Sequence, residues 1–231
     1  MDTSEFLEKA WANEGPKIIS GFSRPLYHNL MGLLHGYRYN KRDYGGMIRH
    51  TEAAMLKKWA SSIRRGGTAV EIGCYGGLST SYLLSGLRSV GGKVYAIDPF
   101  NSDLDKQAEL TDDCVPLENK PTKKIVEQRL NKNGFEGLFE LIEGYSQEVA
   151  SNWNPDIKID FLWIDGNHDQ AYLDFKSFEP YLAPGARVAV HDAHPRYGYD
   201  AVVRDTKKIF AERKWASMEH VKSIISGVLA D

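Results

Sequence analysis

The chain has 231 residues, with 29 Lys and Arg against 31 Asp and Glu, giving a formal net charge of -2. That length fits one generous domain with a real core, and the near-neutral balance excludes a basic field of the kind that recruits nucleic acid. No apolar run approaches the ~20 residues of a membrane span. The acidic start MDTSEFLEKA lacks a signal-peptide pattern, and Cys74 and Cys114 make neither a disulfide framework nor a zinc cluster, so the cytoplasm is the expected location.

Residues 1–65 read as mostly helical. Leu56, Trp59, Ala60 and Ile63 fall at helical spacing and give the last of these segments one apolar face. The stretch HGYRYNKRDYGG interrupts the pattern as a loop. From residue 68 an alternation begins: TAVEIG is a short buried strand, LSTSYLLSGL a helix, and KVYAID a second strand. Residues 101–120 are polar and acidic without a clear period. PTKKIVEQRLNKNG is a helix, with Pro near its start and Gly past its end. LFELIEG, KIDFLWIDG and ARVAVHD are the third, fourth and fifth strands, with AYLDFKSFEPYL helical between the last two. A helix from Asp200 to Arg213 and two strand-like segments, WASMEHV and SIISGVL, follow.

This order predicts a doubly wound α/β fold: a seven-stranded, mostly parallel sheet with helices on both faces and an N-terminal helical extension. The expected division is an extension or lid over 1–65 and a ligand-binding domain over 66–231, in one compact body. Ligands of such sheets bind at the carboxyl ends of the strands. Glu71, Asp98, Asp165 and Asp192 each lie at or near one of those ends, so four acids converge on one edge.

The first strand runs straight into a glycine-rich turn, VEIGCYGGLST. A dinucleotide fingerprint needs G-x-G-x-x-G, whose second Gly lets a pyrophosphate approach the backbone. Tyr75 stands in that place, and no P-loop G-K-[ST] is present. A bulky side chain and the Glu71 carboxylate both disfavour a phosphate. A cationic nucleoside fits better: S-adenosylmethionine carries a sulfonium and an ammonium that acids attract. Asp98, ending the second strand, can then accept from both ribose hydroxyls.

EIGCYGGLS, YAIDPF, IEGYSQE, LWIDGNHDQAY and ARVAVHDAH, in that order, resemble the class I S-adenosylmethionine-dependent methyltransferases, whose fold is Rossmann-like. Within them the chain is most similar to the catechol and macrocin O-methyltransferase-like group, with its macrolide-sugar and cephamycin-pathway relatives. The resemblance covers residues from about 45 to 231. It implies that Glu71, Gly73, Tyr75 and Ser79 surround the methionine part of the cofactor. It places Asp98 on the ribose, Ser146 and Gln147 at the adenine, and Met47 and Asp165 against the cofactor. It also implies a divalent cation, Mg2+ or another, held by Asp165 and Asp192. His191 departs from the family, which usually has a carboxylate there, and so leaves a softer metal or none open. His168, three residues after Asp165, matches the position of the general base, and His194 and Tyr197 are candidates for the acceptor pocket.

The function these residues imply is methyl transfer to a hydroxyl of a small natural product, a sugar or a phenol of the catechol type. A nitrogen acceptor, or a non-catalytic cofactor-binding partner of a biosynthetic enzyme, stays open as an alternative. Expected partners are the small acceptor and a second copy in a homodimer, with neither nucleic acid nor membrane.

Overall fold

Two strands carry near-continuous apolar runs. In the computed structural model of the chain both are buried along their whole length: β1 (Thr68–Ile72) and β4 (Ile159–Ile164). A strand buried on both faces belongs at the centre of a parallel sheet, and these two pair with each other in parallel there. The structure describes residues 2–12, 48–101 and 122–230. On one side β1 is followed by β2 (Lys93–Asp98) and β3 (Phe139–Glu143), both parallel. On the other side β4 pairs in parallel with β5 (Leu182–Val190). An antiparallel hairpin, β6 (Trp215–Val221) and β7 (Ile224–Leu229), completes the order β3-β2-β1-β4-β5-β7-β6. The chain reverses direction across the sheet between β1 and β4, which makes the carboxyl end of that pair the crevice where a ligand fits.

Side chains of successive strand residues point to opposite faces, and two apolar cores follow. One holds Ala69, Phe161, Trp163 and Ala189 under α2 (His50–Ser61), α3 (Leu78–Leu87) and α4 (Lys123–Lys132). The other holds Val70, Leu162, Ile164 and Val190. Its cover comes from α1 (Thr3–Ala12), α5 (Ser146–Ser151), α6 (Ala171–Phe178) and α7 (Asp200–Glu212). Leu56, Trp59 and Ala60 of α2 are buried in the first core, as their helical spacing predicts.

Three details differ from the sequence reading. The helix expected over AYLDFKSFEPYL stops at Phe178, because Pro180 turns the next three residues into a 3-10 turn. The fifth strand starts at Leu182 instead of Ala186; a register shift between Ile159 and Phe161 absorbs Pro184 and Gly185. α5 is a short helix that no periodicity announced. The loop HGYRYNKRDYGG and most of the acidic stretch 101–120 lie outside the described residues. No helix among the described residues is long and apolar enough to cross a membrane.

Helix α3 approaches α2 so closely that a Cβ on Gly86 would stand 2.3 Å from the carbonyl oxygen of Lys57 and 2.8 Å from the Ala60 Cβ. Gly86→Ala must push the two helices apart. It is expected to lower stability by about 1–3 kcal/mol or more, read from the midpoint of urea unfolding.

Candidate active site

The glycine turn after β1 is dictated by its neighbour. Gly73 has a φ of 86°, and a Cβ there would lie 2.2 Å from the carbonyl oxygen of Asp165. The ends of β1 and β4 therefore touch through bare backbone. Beyond the turn, Asp98 binds the loop itself: its Oδ2 accepts from Tyr75 N at 2.8 Å and its Oδ1 from Phe100 N at 2.7 Å. Carboxylate oxygens accept more than one bond, so both retain capacity for hydroxyl donors. Tyr75, Phe100 and Asp192 have positive φ without being glycine, and all three sit just past strand ends. Left-handed backbone of this kind clusters where the fold over-determines a functional loop.

Glu71 points from β1 toward α3 and is 0% exposed. Its Oε2 accepts from Thr80 Oγ1 at 2.6 Å, while its Oε1 is buried with no hydrogen bond. Burial pushes this carboxyl up to about 8, against bonds from Ser79 and Thr80 that favour the ionised form; Asp165 and Asp98 add to the rise. The sequence reading placed Ser79 against the cofactor and did not name Thr80, the next residue on the buried side of α3.

Asp165, His191 and Asp192 meet at the ends of β4 and β5. His191 Nδ1 is 2.9 Å from Asp165 Oδ1 and 3.4 Å from Asp192 Oδ2. Its Nε2 is buried without a hydrogen bond, 3.7 Å from Glu52 Oε2, an ion-pair distance. Glu52, 0% exposed on α2, also accepts from Ser223 N at 2.9 Å and Ser223 Oγ at 2.6 Å. Burial alone would hold the His191 imidazole neutral, but Asp165 and Asp192 carry it well above the usual histidine range. Burial likewise opposes a charge on Asp192, yet His191 and His168 hold it well below the usual carboxylate range. Asp165 is raised by burial, with His191 working against the rise. No sequence motif signals Glu52, which approaches from outside the strand pattern.

His168 is brought to this group. Its Nε2 lies 3.2 Å from Asp192 Oδ2, and its ring stacks on Tyr199 with centroids 4.0 Å apart. Asp192 is thus its partner; the nearby Asp169 is exposed, and its backbone N–H bonds Asn167 instead.

Ser146 and Gln147, expected at the adenine, open α5 where β3 ends, and both side chains donate to Asp174 on α6. Met47 lies outside the described residues. His194 is buried: its Nδ1 accepts from Arg196 N at 3.2 Å and its ring stacks on His220, so it faces the β6–β7 hairpin. Tyr197 is partly exposed and bonds Arg49.

Asp165, His191 and Asp192 each offer one ligand atom, all within 4.8 Å of one another. Two carboxylate oxygens and one imidazole nitrogen fit a divalent ion. With a nitrogen donor in the set, manganese, iron or zinc suits them better than magnesium, which prefers oxygen throughout. The Glu52 carboxylate lies 3.7 Å behind Nε2, on the side where metal-bound histidines take their outer support.

A sheet of this order, with a glycine turn after its first strand and acids at the carboxyl edge, defines a class I methyltransferase fold. A family model described as a methyltransferase domain matches residues 70–193, and the chain belongs to that family. It is similar in fold to three solved enzymes. One is the O-methyltransferase TomG of Streptomyces achromogenes, involved in tomaymycin synthesis and solved with S-adenosylmethionine: 15% identity, TM-score 0.60, 100% of both chains covered. Another is the Podospora anserina methyltransferase PaMTH1, bound to S-adenosylhomocysteine: 13% identity, TM-score 0.59, 99% of this chain and 95% of that one. The third is a Bacillus cereus O-methyltransferase, also with S-adenosylhomocysteine: 17% identity, TM-score 0.56, 91% and 93%.

Glu71 gives stability a pH dependence with a definite sign. Its folded value of about 8 lies above the ordinary 4.5, so between the two the folded state binds the proton that the unfolded chain releases. Its contribution is complete below about 4.5 and is lost as pH rises through about 8. Glu71→Gln should be stabilised relative to the parent more at pH 8.5 than at pH 5.5, measured by urea unfolding without ligand. Parallel profiles of the two proteins would refute the assignment.

Proposed function

We propose that the chain transfers a methyl group from S-adenosylmethionine to a hydroxyl of a small molecule, a sugar or a phenol of the catechol type. The observation that carries this reading is the His168–Asp192 pair at the carboxyl edge of the sheet, beside the turn that Glu71, Gly73, Tyr75 and Asp98 build. The supporting comparison is the likeness to TomG and to the Bacillus cereus O-methyltransferase, which carry the cofactor or its product.

The reaction is an in-line displacement: the acceptor oxygen attacks the methyl carbon as the carbon–sulfur bond breaks, and the hydroxyl proton leaves. Asp192 Oδ2 accepts from His168 Nε2, which leaves Nδ1 of the same ring as the base that takes that proton. Tyr199, stacked on the imidazole, fixes its plane. Asp165 supplies the negative environment that a sulfonium and an ammonium need, Glu71 joins it when a bound cation draws off its proton, and Asp98 reads the ribose. A divalent ion, when bound, would be held by Asp165, His191 and Asp192 and would polarise the acceptor hydroxyl. Helix α1 reaches this edge through Trp11, which donates its Nε1–H to the carbonyl of Ala193 at 2.8 Å, next to Asp192.

The test is a panel of phenols, sugars and amines incubated with S-adenosylmethionine, with and without a chelator, reading S-adenosylhomocysteine release. Turnover of hydroxylated acceptors is expected. His168→Ala should lower kcat by roughly 10²–10⁴ with cofactor affinity nearly unchanged. Turnover confined to amines would sink the oxygen acceptor, and full kcat in the variant would remove His168 from the chemistry.

A further inference from the structure

Asp174 has no part in the reaction as drawn, and its placement is otherwise hard to explain. It sits in the first turn of α6 and is 2% exposed. Its Oδ1 accepts from both Ser146 Oγ and Gln147 Nε2, the latter at 2.8 Å. Its Oδ2 lies on the turn that follows β4, where a Cβ on Gly166 would come within 3.5 Å of it. The neighbouring charge is Asp205, of like sign and itself bonded to Arg204. Burial pushes the Asp174 carboxyl up to about 6 against the two bonds it accepts. A buried carboxylate facing another acid is costly, and an apolar residue of similar volume often serves stability as well or better.

What the carboxylate does that an apolar residue cannot is decide an orientation. A glutamine amide can present either its oxygen or its nitrogen, and a carboxylate only accepts. Bonding to Asp174 therefore turns the Gln147 nitrogen inward and leaves its carbonyl oxygen as the end that meets a ligand. That oxygen suits a donor such as the exocyclic amino group of adenine. The same bonds anchor α5, which has six residues and no side-chain cap at its start and is too short to hold itself by helical bonds alone.

We infer that Asp174 is a positioning residue for the cofactor: from α6 it fixes Ser146 and Gln147 as the adenine-reading wall. The inference rests on the proposed cofactor. Loss of Asp174 removes the acceptor for two bonds to a charged group, and the wall then samples both amide orientations.

The test uses the full chain and calorimetry with S-adenosylhomocysteine and with its hypoxanthine counterpart, in which an oxygen replaces the exocyclic amino group. The parent should prefer the adenine form. Asp174→Ala should weaken S-adenosylhomocysteine binding by roughly ten- to a hundredfold and shrink the preference for adenine over hypoxanthine. Its kcat at saturating cofactor should stay within about threefold, because the reacting groups are untouched. Asp174→Asn keeps an acceptor oxygen and should restore part of both affinity and preference; it also serves if the alanine variant does not fold. A variant that binds S-adenosylhomocysteine as the parent does, with the same base preference, would overturn the inference, as would a loss of thermal stability alone. Failure of the parent to bind S-adenosylhomocysteine would instead overturn the proposed cofactor.

Discussion

Carboxylates crowd the ends of the parallel strands, and the fold must neutralise them where little water reaches. Each is handled differently. Glu71 keeps a proton and bonds Thr80. Asp98 takes two backbone N–H groups. Asp165 and Asp192 share the His191 imidazole, and Asp192 takes His168 as well. Glu52 leans on Ser223 and on the N–H of Arg49. Asp174 receives a hydroxyl and an amide. Helices, loops and the C-terminal hairpin all send donors to this one edge, and their packing follows from that need.

An edge balanced in this way is prepared for positive charge. A phosphate would meet Asp165 and be repelled, whereas a sulfonium or ammonium would favour the ionised form of a carboxyl that burial has pushed up. The groups next to the chemistry hold their charges through histidines, and those further out through neutral donors. The end beside His168 is thereby the polar, adjustable part, and the Ser146–Gln147 end is held by fixed hydrogen bonds.

Much of this was legible in the sequence, for physical reasons. TAVEI and IDFLWI are mostly apolar because both faces of a central parallel strand are covered, and parallel topology then forces the residues that end them onto one edge. Glu71, Asp98, Asp165 and Asp192 could be grouped on that ground alone, whereas His168 came from the family resemblance, which matches its position after Asp165. Partnerships across long separations left no trace. Nothing near residue 52 announces that Glu52 faces His191, or that its oxygen meets Ser223, 171 positions away. Asp174 sits unremarkably in AYLDFKSF, because its meaning lies in residues 27 and 28 positions earlier. SQEVAS is too short for a helical period, and Pro184 with Gly185 hides the start of β5.

The hairpin of β6 and β7 has a consequence for how the protein comes into being. Ser223, in its turn, gives its N–H and hydroxyl to Glu52 and takes the N–H of Ala193 on its carbonyl at 2.8 Å. It thereby closes α2 and the end of β5 onto one another. During synthesis, β1 through β5 can emerge and pair before this turn exists, with Glu52 and the histidine edge still unsupported. Contacts that span most of the sequence form late and slowly. The reactive edge therefore depends on the hairpin, because until its turn is made Glu52 and the end of β5 lack the residue that joins them.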